Sequence, residues 1–134
     1  MKKLISLTLT LVCIFCLSSC SGNVTGVKII DCDSEIYSDS EIESAIYVTL
    51  DYFRKEFDGC NLTEITYIGD ENLEGWQEFA ERNNADDVIV LVSTFKVGKF
   101  GADGSLNPDS TYTGWKWILT RTENGKWEHV DHGY

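Results

Sequence analysis

His129, Asp131 and His132 are the residues in this chain best suited to proton chemistry. A histidine exchanges protons near neutral pH, and a carboxylate beside it can orient the ring. On a strand, His129 and Asp131 stand two apart and share a face, whereas His132 points the other way. Two readings follow: a His129–Asp131 acid–base pair, or a polar outer face with His132 turned inward as a pocket lining. Trp115 and Trp117 also share a face. A tryptophan at the mouth of a pocket can stack on a ring-shaped ligand, and one under a helix is core. Possible pocket lining is therefore Trp115, Trp117 and His132. The chain shows no Ser–His–Asp set, phosphate loop or metal-protease motif.

Metal and redox chemistry are weakly supported. Asp103, Asn107 and Asp109 offer oxygen donors on a glycine-rich stretch, as calcium requires, but their spacing does not match an EF-hand loop. Turn formation accounts for Gly101, Gly104 and Asn107-Pro108-Asp109 without a metal, so neither metal nor cofactor is expected. Cys32 and Cys60 remain as a possible disulfide, although each stands just outside an end of the first long helix.

The elements that position these residues are marked by local signals. Ser38-Asp39-Ser40-Glu41 is a capping box, with Tyr37 and Ile42 at the positions of a hydrophobic staple. Ile42, Ala45, Ile46, Thr49, Leu50, Phe53 and Phe57 then recur at helical spacing, and Gly59 follows as a left-handed stop. This predicts a helix over 39–57. Residues 61–68 alternate as a strand with Thr63, Ile65 and Tyr67 on one face. Asp70 is expected to cap a shorter helix that turns Leu73, Trp76, Phe79 and Ala80 inward and stops at Asn83-Asn84. The nearly continuous apolar run 88–97 reads as a central strand covered on both faces over much of its length.

Asn124-Gly125 suggests a two-residue hairpin turn. That register pairs Arg121 with Glu128, Leu119 with Val130 and Trp117 with His132. Residues 98–112 are expected to be an ordered loop, held by Leu106 or Tyr112 packing back on the domain. The expected fold is α+β: a long N-terminal helix and a shorter second helix on one face of a curved, mainly antiparallel four-stranded sheet, in the order α-β-α-β-β-β.

The chain's start carries a separate signal. Lys2 and Lys3 precede an apolar stretch from Leu4 to Leu17, the layout of a secretory signal. It ends Leu17-Ser18-Ser19-Cys20, which resembles the lipobox of bacterial lipoproteins. That resemblance implies cleavage before Cys20 and lipidation of its thiol, placing the protein on the extracytoplasmic face of a cell membrane. The division is then signal 1–19, tether or leader 20–36, in which Val27-Lys28-Ile29-Ile30 suggests one short strand, and a single domain 37–134. Without the signal, 9 Lys and Arg face 22 Asp and Glu, a formal charge of −13. Such a surface repels nucleic acid, and it suits cationic ligands or simple solubility.

"FDGCNLTEITY", "ADDVIVLVSTFKV", "GADGSLNPDSTYTGWKWILTR" and "KWEHVDHGY" together resemble a family of uncharacterised bacterial lipoproteins. Similar domains occur at the extracytoplasmic end of membrane metallopeptidases of the beta-lactam-sensor type. The resemblance implies a cone-shaped fold like that of the nuclear transport factor two-like or cystatin-like proteins. It assigns no catalytic residue. The functions left open are a binding, sensor or accessory module, a small cone-fold enzyme using His132 or His129 with Asp131, and a surface interaction protein without a pocket.

Overall fold

The computed structural model describes residues 21–100 and 104–134. Its elements are β1 (Lys28–Ile30), α1 (Asp39–Glu56), β2 (Cys60–Tyr67), α2 (Gln77–Arg82, entered through two short 3-10 turns), β3 (Asp87–Val97), β4 (Thr111–Arg121) and β5 (Glu128–Gly133). The class is α+β, as expected. The sheet has five strands rather than four, in the order β1-β2-β3-β4-β5, and is mixed because β1 runs parallel to β2. The short strand suggested by Val27-Lys28-Ile29-Ile30 in the 20–36 segment thus forms, as β1. Asn23 bridges Asn61, and β1 pairs Lys28 with Glu64.

α1 begins as its sequence dictates. The Ser38 hydroxyl accepts from the Glu41 amide at 3.2 Å, and the Glu41 carboxylate accepts from the Ser38 amide at 2.7 Å. Gly59 follows the helix at φ 76°, and the chain reverses there into β2. Ala45, Ile46, Thr49 and Phe53 are buried along the helix face that meets the sheet.

β3 is the centre of the core, with Val88, Ile89, Val90 and Leu91 all fully buried. Four consecutive buried residues need cover on both sides of the sheet. Phe95 meets Phe53 and Phe57, so the odd-numbered residues of β3 face α1. Val88 and Val90, with Ile118 and Thr120 on β4, face away from α1 and are buried too. α2 contacts both β3 and β4 and covers that second face, with Leu73 and Ala80 buried. The two helices therefore lie on opposite faces, which corrects the single-face expectation. Asp70 does not cap α2. Its carboxylate binds the Ser34 hydroxyl at 2.6 Å, the Glu35 amide at 2.7 Å and the Tyr67 hydroxyl at 2.9 Å.

Each antiparallel ladder contains a bulge. Thr63 is the extra residue between β2 and β3, so Leu62 rather than Thr63 joins Ile65 and Tyr67 in the core. Between β3 and β4 the irregularity lies at Thr113-Gly114, with Gly114 at φ 70°. The third, at Val130, changes the hairpin. Trp117 pairs with His132 and Ile118 with Asp131 as expected, but Leu119 then pairs with His129 and Thr120 with Glu128. The connection spans 122–127, with Glu123 and Asn124 both at positive φ, and is not a two-residue turn. Arg121 consequently leaves Glu128 and binds Asp87 and Glu41, each at 2.9 Å.

Candidate functional site

The Val130 bulge decides where the histidines point. It turns His129 to the α1 face beside His132, and leaves Asp131 exposed. The expected His129–Asp131 face pair does not form; a His129–His132 pair does. His132 Nδ1 lies 3.2 Å from His129 Nε2. Tyr52 of α1 stacks on the His129 ring at 4.0 Å between centroids. His132 packs against Trp115 at 5.9 Å and Phe57 at 5.4 Å.

Both imidazoles are kept neutral. Burial, followed by the charge of His132, lowers His129 from 6.5 to about 4, against an opposing pull from Asp131. Burial likewise lowers His132. Between neutral rings one nitrogen donates and the other accepts. The Asp131 charge and its backbone both pull His129 upward, but less than burial pulls it down.

His132 lines a cleft of about 250 Å³ with Tyr52, Glu56, Phe57, Ser105, Leu106 and Trp115. Three structural units build it: the last turn of α1, the loop before β4, and the β4–β5 edge. Trp117, expected as lining, lies fully buried beneath, and its indole N–H donates to the Ser93 hydroxyl at 2.8 Å. Trp115 is different. It is partly exposed, yet its indole nitrogen is buried with no hydrogen-bond partner among the described residues. A buried donor without an acceptor costs on the order of 1–3 kcal/mol. Tyr52 and Glu56 escape a reading confined to the apolar stripe, although their four-residue spacing puts them on one helix face.

Larger grooves lack this combination. One of about 550 Å³ runs past Val48, Arg121 and Trp127, where both carboxylate partners already satisfy the Arg121 charge. Another of about 350 Å³ lies between residues 29–33 and the start of α1.

The loop behaves largely as anticipated where it is described. Leu106 is half-buried in the cleft wall, and Tyr112 stacks on Phe95 at 5.2 Å while its hydroxyl accepts from the Asn107 amide at 3.1 Å. Asp109 sits at φ 54° and its amide donates to the Gly98 carbonyl at 3.1 Å. Asp103 lies outside the described residues, among which no cluster of metal-ligating side chains occurs.

Cys32 and Cys60 do not form a disulfide with each other. The parallel pairing of β1 with β2 carries Cys32 past Thr66 toward Asp70, whereas Cys60 opens β2 at the other end. Cys20 and the signal segment also lie outside the described residues. No helix among the described residues is long and apolar enough to cross a membrane.

Fold and cleft together define an α+β domain with an aromatic recess at one end of its sheet. No family model, no curated protein and no solved structure matches the chain.

Proposed function

We propose that this chain is a membrane-anchored extracytoplasmic lipoprotein domain, held through Cys20, that binds a small ligand in the cleft as a non-enzymatic sensor or accessory module. The cleft wall of Tyr52, Phe57, Trp115 and His132, with Glu56 beside them, carries the reading. Tyr52, Phe57 and Trp115 supply aromatic surface, while Glu56 and the −13 charge favour a cation or hydroxyl donor. At about 250 Å³ the space suits a single small ring, such as an amino sugar or ring amine. Against catalysis, Asp131 does not face the histidine pair. The rival reading, a small hydrolytic or isomerising enzyme, is favoured only by the 3.2 Å His129–His132 contact.

The test is a nitrogen-resolved NMR titration with a set of ring amines and amino sugars, following the Trp115 indole signal. A binder should move that signal, and Trp115→Phe should weaken binding at least several-fold. If no compound moves it, or if Trp115→Phe binds any hit equally well, the cleft is not the site.

A further inference from the structure

The start of the described chain is pinned to the domain. The Gly22 amide donates to the Arg54 carbonyl at 2.9 Å, using one of the otherwise free acceptors at the end of α1. Asn23 donates to Cys60 and accepts from Leu62, both at 2.9 Å. Gly22 lies so close to the helix that an added Cβ would stand 2.3 Å from the Phe53 carbonyl oxygen. One residue, Ser21, separates Gly22 from Cys20. The two Cα atoms are at most about 7.6 Å apart, comparable to one headgroup layer. A lipid on Cys20 would leave the domain no room to stand off the bilayer.

The same corner carries features suited to a lipid surface. The Gly98 amide donates to the Gly59 carbonyl at 2.8 Å, which brings the end of β3 beside the end of α1. Phe100 follows two residues on and is 94% exposed; Tyr134 closes β5 at this end and is 73% exposed. Lys96 and Lys99 are exposed here, without a carboxylate partner among the described residues. An acidic domain is repelled by anionic headgroups over most of its surface; at this end Lys96 and Lys99 offset the exposed Asp58 and Asp109 beside two exposed aromatic rings.

We propose that the corner formed by Gly22, Gly59 and Gly98 is a membrane-contact surface resting directly on phospholipid headgroups, with Phe100 and Tyr134 in the interface and Lys96 and Lys99 toward lipid phosphates. The proposal rests on anchoring through Cys20. Phe57, Ser105 and Leu106 belong to this end, so the cleft would open close to the bilayer.

The experiment uses the mature, lipidated protein in vesicles of phosphatidylethanolamine and phosphatidylglycerol containing a spin-labelled phospholipid. F100W adds an indole at the proposed interface; Y47W adds one on the exposed side of α1, far from it. The emission added by F100W should be blue-shifted and mostly quenched by the labelled lipid, while that added by Y47W stays unquenched. Equal quenching of both, or none at F100W in protein that remains vesicle-bound, overturns the contact surface and restores a flexible tether. Protein that carries no lipid and does not remain with the vesicles instead refutes the anchor, and the proposal with it.

Discussion

Acidification from about pH 7 to about pH 4 should destabilise the fold through His129, and the size of the effect can be worked from its surroundings. The ring stacks on Tyr52, lies against Trp117 and touches His132, so protonation puts a charge where water is partly excluded. Its folded value is about 4, against an ordinary 6.5. A base with a lowered folded pKa binds its proton more readily in the unfolded chain. Its contribution is therefore complete above about pH 6.5 and fades as pH falls through about 4. The full difference would amount to roughly 3.4 kcal/mol at about 1.4 kcal/mol per unit. His129 is only half-buried, and solvent screening reduces this to about 1–2 kcal/mol. Urea unfolding of the wild type and His129→Gln, at about pH 7 and about pH 4.5, isolates the effect from the carboxylates, which titrate in both. The wild type should lose about 1 kcal/mol more than the variant between the two pH values. Parallel losses, or a His129 ring that titrates near its ordinary value by NMR, would refute the burial argument and with it the pairing to His132.

Other residues give independent tests. Gly22→Ala should destabilise by about 1–3 kcal/mol in urea and speed hydrogen exchange at Asn23 and Leu62, because the new methyl group collides with helix backbone. Arg121→Ala should cost about 2–3 kcal/mol by leaving Glu41 and Asp87 facing without a cation; Arg121→Met should cost less, since both carboxylates are about one-third exposed and the stem still covers Trp127. Leu106→Ala, at a half-buried position, should lower stability by about 1 kcal/mol without any calcium dependence. Cys20→Ser should release mature protein from the membrane fraction or leave precursor in it, and mature protein that still needs detergent for extraction would refute lipidation there.

Signals confined to a few neighbouring residues survived folding best. The capping box at Ser38 and Glu41, the left-handed Gly59, and the stop at Asn84 (φ 53°) all act within one turn, so the sequence states them completely. The run 88–97 also correctly announced burial on both faces, and that same signal contradicts two helices on one face. What escaped depends on distant partners. β1 has three exposed residues with no alternation to read; the run 27–30 suggests a short strand, but not its parallel pairing with the edge of β2. Asp70 has the identity of a cap, but Ser34 and Glu35, some 35 residues earlier, compete for its carboxylate and win.

The histidine pair marks the sharper limit. Strand alternation puts His129 with Asp131 and sends His132 to the opposite face, and over a regular ladder that rule holds. One extra residue, Val130, reverses the assignment for everything before it: Leu119 meets His129 in place of Val130. Nothing in the residue types around Val130 marks a bulge, unlike Gly114, whose positive φ suits a glycine. The bulge follows from two demands at opposite ends of the hairpin. Trp117 must be buried under α1 with its N–H on Ser93, which fixes its pairing with His132. Arg121 must reach Glu41 and Asp87, while Trp127 donates to the Glu41 carbonyl at 3.1 Å, and these ties hold the 122–127 connection open in a form wider than Asn124-Gly125 alone would choose. Between them the two strands differ by one residue, and Val130 absorbs it. The cleft's chemistry, two neutral imidazoles under Tyr52 in place of a histidine–carboxylate pair, is a consequence of that mismatch.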